Sequence, residues 1–322
     1  MTTFKEIRGT AIESVSSDPS NPEIGQIWYN NTIGVLKCYK VLAGTWASGG
    51  NMGTTRYDPS GAGTQTAGLG FGGYAPGVQS ATEEYDGSAW TAGGSLTTAR
   101  SSLGGAGTQT SALAFGGYKG GSPVLTASTE EYDGSTWSPG GNLATQRQGL
   151  AGCGTQTAGL AFGGLIPPPS AATEEYDGTS WTTGGNLTTA RQYLAGCGTQ
   201  TAALGFGGGP PLSTATEEYD GASWTAGGSL ATARFNLAGA GTQTAGLGFG
   251  GSTPTVTGVT EAYNGTSWTN NTSMTTARRS LGGAGTQTSA LGFGGRTGAP
   301  AITTATEEFT GPSLATQKIT TS

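Results

Sequence analysis

The tetrapeptide Gly-Thr-Gln-Thr occurs six times in this chain, its glycine at 63, 107, 154, 198, 241 and 285. The spacings are 44, 47, 44, 43 and 44 residues. A period of this length belongs to propellers, solenoids and arrays, in which each copy buries its apolar faces only against its neighbours. Every copy carries the same landmarks in the same order. Phe-Gly-Gly follows, with Phe71, Phe115, Phe162, Phe206, Phe249 and Phe293. An element like Thr-Glu-Glu-Tyr comes next, ending on Tyr85, Tyr132, Tyr176, Tyr219, Tyr263 and, in the last copy, Phe309. Five residues after each Tyr stands a Trp, at 90, 137, 181, 224 and 268, and ten residues after each Trp an Arg, at 100, 147, 191, 234 and 278. Trp46 and Arg56 keep that ten-residue spacing ahead of the first full copy.

Within a copy the pattern reads as four short strands. In Ala158–Phe162 the bulky Leu160 and Phe162 alternate with Gly159 and Ala161, the period of two of a strand with one full face and one bare face. A bare glycine face lets the Leu and Phe of a neighbouring sheet approach closely, so sheets stacked face to face are expected. Asp-Gly after the Tyr is a tight-hairpin signal leading into the Trp strand. Turn signals this frequent leave no room for a helix. The 61 glycines follow no three-residue period, which excludes collagen. The 27 aromatic residues at fixed spacing argue for a folded chain. With 14 basic against 20 acidic residues, phosphate neutralisation is not the binding mode, and no nucleic-acid partner is expected. There is no histidine, which removes the commonest general base and most zinc and haem sites. No cofactor or metal is expected. Three cysteines without Cys-x-x-Cys spacing make a disulfide framework unexpected, and Cys153 and Cys197 fill the slot held elsewhere by Ala62 and Ala106. No apolar stretch is long enough for membrane insertion, and the opening MTTFKEIRGTAIES lacks the apolar core of a secretion signal.

The ordered combination RQGLAGCGTQTAGLAFGG, then TEEYDG, then Trp, resembles the kelch repeat. The resemblance covers about residues 36–318 and implies an all-β, six-bladed kelch-like propeller with four-stranded blades. The copies are shorter than the roughly 50 residues usual for kelch and richer in Thr and Gly. The last copy lacks a Trp strand, while the N-terminal side has one to spare at Trp46. The ring is therefore expected to close by an N-terminal strand that completes the C-terminal blade, with 313–318 a leftover linker. Residues 1–35 do not repeat and are expected to form an N-terminal anchor or hairpin segment (26–30 pairing with 35–41), and 36–322 the propeller. The segment NPEIGQIWYNNTIGVLKCY is similar to leading segments of bacteriophage tail-fibre and virion proteins, particularly of marine phages. That likeness implies a virion location, with synthesis in the host cytoplasm and attachment to other virion proteins through residues 1–35.

The loops after Phe-Gly-Gly have 8, 11, 8, 7, 8 and 10 residues, and no two agree in sequence, whereas the rest of each copy is nearly constant. Variable loops on a rigid scaffold are the expected place for binding. Tyr74, Tyr118, Lys119 and Arg296, with the proline stretches 167–169 and 210–211, are the expected ligand contacts. Arg56, Arg100, Arg147, Arg191, Arg234 and Arg278 fall at the same end. The kelch likeness implies that such a set can contact acidic ligands; the stronger reading of the residues is that each Arg pairs with a third-strand Glu such as Glu83 or Glu130 and fastens blade to blade. The repeated Gln, from Gln65 to Gln287, read as turn residues. The resulting expectation is a non-enzymatic virion protein, a tail-associated adhesin binding a host-surface polysaccharide or protein. The alternative is a decoration or spacer protein of the virion with no ligand of its own. No catalytic residue is assigned.

If Tyr and Trp of each copy pack with the Leu and Phe of the second strand, Trp181→Ala removes a buried ring and destabilises by about 3–5 kcal/mol. A thermal melt indistinguishable from the parent's would show that Trp181 is exposed and that this register is wrong.

Overall fold

A computed structural model describes residues 12–121 and 124–319, and among them there are strands and turns but no helix. They form seven four-stranded sheets divided between two units, residues 45–310 and residues 12–44 with 311–319.

The larger unit holds six sheets of one design. Sheet 1 runs Ser60–Gly63, Gly68–Phe71, Thr82–Tyr85, Trp90–Ala92; sheet 2 runs Gly104–Thr108, Ser111–Phe115, Thr129–Tyr132, Trp137–Pro139. Sheets 3, 4 and 5 repeat this order from Ala151–Thr155, Ala195–Thr199 and Ala238–Gly241. Sheet 6 takes Gly282–Gly285, Ser289–Phe293 and Thr306–Thr310 from the C-terminal side, and its fourth strand is Thr45–Ser48, with Trp46 opposite Phe309. The first strand of each sheet lies beside the first strand of the next, and that of sheet 6 beside that of sheet 1.

The alternation read from sequence explains the stacking. A Cβ on Gly152 would lie 2.4 Å from Cζ of Phe115 in the preceding sheet, and one on Gly61 2.9 Å from Cζ of Phe293. Only a bare backbone admits the neighbouring ring at these positions. The Phe in turn meets the Trp of the following sheet, as Phe115 meets Trp181 at 4.9 Å between centroids and Phe293 meets Trp90 at the same distance.

Polar side chains stitch the same junctions. Trp181 Nε1 donates to Thr129 Oγ1 at 2.9 Å, Tyr176 OH donates to Glu131, and Gln156 Nε2 donates to the carbonyls of Ala112 and Tyr132, all from sheet 3 to sheet 2. Sheet 1 holds sheet 6 in the same way, through Trp90 to Thr306, Tyr85 to Glu308, and Gln65 to the carbonyls of Ala290 and Phe309. The Gln residues are thus ties between sheets rather than turn residues alone. Burial, and then the neighbouring Glu, push each bonded Tyr hydroxyl up, that of Tyr176 to about 12, so it stays a donor across the physiological range.

One junction differs, and its two differences compensate. Between sheets 6 and 5 the donor position holds Phe309, which has no hydroxyl, and the acceptor position, Glu in the other five sheets, holds Ala262. Ala262 packs into the apolar cluster that contains Phe309. A lone hydroxyl or carboxylate there would be stranded without its partner.

In the smaller unit, Glu13–Val15, Ile27–Asn30, Val35–Leu42 and Ser313–Lys318 form one sheet in that order. The hairpin has the expected pairing, with Tyr29 opposite Leu36. Two expectations are corrected. The division falls at Gly44 instead of residue 35, because Val35–Leu42 pairs with both Ile27–Asn30 and Ser313–Lys318. Residues 313–318 are a strand and not a linker, because they pair along their whole length with Val35–Leu42. Asp18 knits this unit, accepting from Trp28 Nε1, Asn30 Nδ2 and Lys37 Nζ, and these bonds, Lys37 first, hold its carboxyl down at about 2.

The compensated junction gives a double-mutant test. Phe309→Tyr and Ala262→Glu are each expected to destabilise by about 1–3 kcal/mol, the cost of a buried polar group without a partner. The double variant is expected to recover most of that loss, and denaturant melts of the four proteins measure the coupling. Strictly additive losses would show that these positions do not face each other.

Candidate functional site

The six repeated arginines are buried, none more than 2% exposed. Arg147 is representative. Its Nη1 donates to the carbonyls of Gly163 and Ala172, at 3.3 and 2.7 Å, and its Nη2 to Glu174 Oε1 at 3.0 Å. The other oxygen of Glu174 accepts from the backbone of Ala144, in the linker that carries the arginine. Arg56, Arg100, Arg191, Arg234 and Arg278 repeat the ion pair with Glu83, Glu130, Glu217, Glu261 and Glu307. Burial pulls the guanidinium of Arg147 below its ordinary value and Glu174 opposes the shift. A ligand-binding role for these six is therefore corrected. Their terminal nitrogens are taken up by protein oxygens within their own sheet, and the side chains do not stand at the surface.

What does stand at this end is set by the two residues after each arginine. The second of them, Asp58, Ser102, Gly149, Tyr193, Asn236 or Ser280, adopts the left-handed conformation in every copy, with φ from 51° to 59°. These six form a closed ring of backbone hydrogen bonds. Ser102 N donates to Asp58 O, Gly149 to Ser102, Tyr193 to Gly149, Asn236 to Tyr193, Ser280 to Asn236, and Asp58 back to Ser280, at 2.7–3.0 Å. The cavity behind the ring, bounded by these residues and the leucines or proline after them, is about 80 Å³. That is far below the roughly 300 Å³ at which small-molecule pockets begin, so a ligand here would sit on the rim.

The side chains on the ring are not sixfold: serine occurs twice, and aspartate, glycine, tyrosine and asparagine once each. The Tyr193 ring lies over Gly149, where a Cβ would meet it at 2.9 Å. Burial pushes the Asp58 carboxyl above the usual carboxylate range, opposed by hydrogen bonds with Ser280 and Ser102 and by the charges of Arg296 and Arg279. The first residue after each arginine pairs through its backbone with the residue after Phe-Gly-Gly, as Tyr57 with Tyr74 and Arg279 with Arg296. Arg296 places its guanidinium carbon 3.5 Å from the centre of the Tyr57 ring, and Tyr57 in turn lies 5.4 Å from Tyr74. Among the described residues, neither Arg279 nor Arg296 forms an ion pair.

Of the contacts expected from sequence, Tyr74 and Arg296 thus come together, through Tyr57. Tyr118 and Lys119 belong to another loop, where Tyr118 pairs with Ser101 and Leu125. Sequence reasoning missed Tyr57, Asp58, Tyr193 and Arg279. Their signal was present, because they also break the repeat, directly after its most constant residue. Chemically the cluster offers two guanidiniums, a flat aromatic pair and a carboxyl that retains its proton to higher pH than usual. No group of three metal-ligating side chains occurs among the described residues. Nor is any helix there long and apolar enough to cross a membrane.

No protein-family model and no curated protein matches this chain. Among solved structures, that titled "Structure of YjhT" is similar, with a TM-score of 0.69 and 12% sequence identity over 83% of this chain and 99% of that one. At that identity the likeness establishes the fold, and the fold is a kelch-like β-propeller. It also corrects the expectation of a non-enzymatic chain. A fold shared with YjhT carries no exclusion of catalysis, and lack of histidine removes only histidine chemistry.

The raised Asp58 carboxyl has a signed consequence. A carboxyl that holds its proton more tightly in the folded state stabilises most below its unfolded value, about 3.9, and that contribution is lost as pH rises through the folded value. Asp58→Asn escapes the loss, so the melting temperature of the variant minus that of the parent is expected to increase from acid to neutral pH. A difference that is flat or falls with pH would show that Asp58 is not held this way.

Proposed function

We propose that this chain is a virion protein of the tail-fibre type whose six sheets are the blades of a closed six-bladed propeller, and that the propeller binds an acidic host-surface polysaccharide on the rim formed by Tyr57, Tyr74, Arg279 and Arg296. The six-bladed reading is supported by the cycle of first strands, by the ring from Asp58 to Ser280, and by the ties from sheet 1 onto sheet 6. The virion reading draws on the sequence likeness of 21–39 to leading segments of tail-fibre proteins. Of that anchor region, residues 1–11 lie outside the described residues. Other virion proteins are the partners this segment would join.

The observation that carries the binding reading is the pair Arg279 and Arg296. The two residues are paired through their backbones on a chain of net charge −6, and among the described residues neither forms an ion pair, although both act on the nearby Asp58 carboxyl. The guanidinium fork matches a carboxylate or sulfate in bidentate geometry. Arg296 is held in place by stacking on Tyr57, which lessens the ordering lost on binding. Tyr74 adds a face on which a sugar ring can stack.

The test is the double variant Arg279→Gln and Arg296→Gln, measured against a panel of carboxylated, sulfated and neutral polysaccharides. Loss of two charge-assisted contacts, each about 1.5–3 kcal/mol, is expected to weaken binding of an acidic polymer at least tenfold, with an unchanged melting temperature. High salt is expected to weaken the parent in the same direction. Equal binding by parent and variant, or no acidic polymer bound by the parent, would overturn this assignment and leave the spacer reading.

A further inference from the structure

Asp58 carries the one carboxyl of the ring from Asp58 to Ser280, and the backbone brings it to the two rim arginines. Three ties place it there. Asp58 N donates to the carbonyl of Ser280, the residue after Arg279, at 2.8 Å. Arg279 and Arg296 exchange backbone hydrogen bonds of 3.0 and 2.9 Å. Tyr57, the residue before Asp58, carries the Arg296 guanidinium on its ring. The carboxyl itself is held by serines. Ser102 Oγ donates to Asp58 Oδ2 at 3.2 Å, and Ser280 bonds it from the copy on the other side. Tyr57 and Tyr193 also face it, and the charges of Arg279 and Arg296 reach it, although neither arginine closes an ion pair among the described residues.

We infer that Asp58 is an internal competitor of the ligand. Ionised, it offsets part of the positive charge that Arg279 and Arg296 present; protonated, it releases that charge to an acidic polymer, so binding takes up a proton. The inference rests on the rim reading given above.

The backbone does not require a charge at this place. Asn236 adopts the same left-handed conformation, φ 53° against 52° for Asp58, and the other four ring members carry no carboxyl either. The sign follows from Coulomb's law. A negative group beside two cations weakens their attraction for a second anion, and a bound anion makes that group harder to ionise. These are one coupling seen from two sides. Burial already lifts the Asp58 carboxyl above the usual carboxylate range. The switch therefore falls at higher pH than the titration of an exposed carboxylate such as Asp177, which hydrogen bonds from the Ser180 and Thr179 backbone hold below that range.

The probe is dextran sulfate, whose sulfate esters stay ionised throughout. It is titrated into the full chain by calorimetry from about pH 4 to about pH 7, at constant ionic strength and in two buffers of different ionisation enthalpy. The parent is expected to bind more weakly as pH rises, with a buffer-dependent heat that reports proton uptake. Asp58→Asn copies Asn236 and is expected to fold normally. It is expected to bind roughly three- to tenfold tighter than the parent at neutral pH, to match it at acid pH, and to lose most of the proton uptake. Asp177→Asn removes the same charge from a hairpin turn at the other end of sheet 3. It copies Asn264, which accepts the same two backbone hydrogen bonds, and is expected to keep the parent's pH profile. An Asp58→Asn protein with the parent's pH profile, or an Asp177→Asn protein that gains as much affinity, would overturn the inference and leave the rim reading standing. Binding of the polymer by neither parent nor Asp58→Asn at any pH would overturn both.

Discussion

Each variable loop of this protein begins and ends on the same guanidinium. Arg147 takes the carbonyl of Gly163 at one foot of the loop and that of Ala172 at the other, and Glu174 beneath it fixes the linker that brings the arginine in. The other five arginines hold their loops in the same way, Arg56 through Gly72 and Ala81, Arg278 through Gly294 and Ala305. A charge buried this deeply is tolerable only when its partners are in place, and removing one partner of such a pair typically costs about 3–5 kcal/mol. The arrangement separates two demands. The loop feet are constant because the arginine requires it, and the residues between them are free to change in length from 7 to 11 without altering the sheet below.

The sheets depend on one another as strictly as the loops depend on the arginines. None buries its own Phe; the ring enters the bare glycine face of the next first strand, as Phe115 does over Gly152. Hydrogen bonds from Trp, Tyr and Gln then fix the register of the contact. The exchange of a Tyr–Glu pair for Phe309 and Ala262 shows how tightly the two sides are coupled, since apolar matches apolar where polar would have matched polar. Replacing both partners by apolar groups is nearly neutral, whereas replacing one is not.

Much of this was legible in the sequence, and the parts that were not share a cause. The period, the four strands per copy, the glycine face and the role of Trp46 in the last sheet all follow from spacing. Spacing could not decide the arginines, because a constant charged residue beside a variable loop has the same signature whether it faces solvent or the loop's own carbonyls. Residues 313–318 copy a linker in sequence, yet pair with Val35–Leu42, a partner that the other copies of the linker do not have. Tyr57, Asp58, Tyr193 and Arg279 were overlooked because they lie next to the most regular residue of the repeat, while the conspicuous variation lies farther on. Of the expected contacts, Tyr74 and Arg296 were found by their loops, but their meeting through Tyr57 depends on sheets 1 and 6 being neighbours in space at opposite ends of the chain.

The ring from Asp58 to Ser280 is where regularity and asymmetry meet most sharply. Its backbone is sixfold and closed, and every member stands in the left-handed region. Gly149 is at ease there, and Asp58 and Asn236 nearly so, because short polar side chains reach that conformation with little cost. Tyr193, Ser102 and Ser280 are not, and a residue without that help loses roughly 1–2 kcal/mol. A ring maintained only for architecture would settle on glycine or asparagine throughout. This one keeps a tyrosine, lays its ring over the one glycine, and leaves beside it the one loop whose first side chain is absent. Three departures from a common pattern, in neighbouring copies and mutually accommodating, are what a scaffold of equal parts needs in order to present an unequal surface.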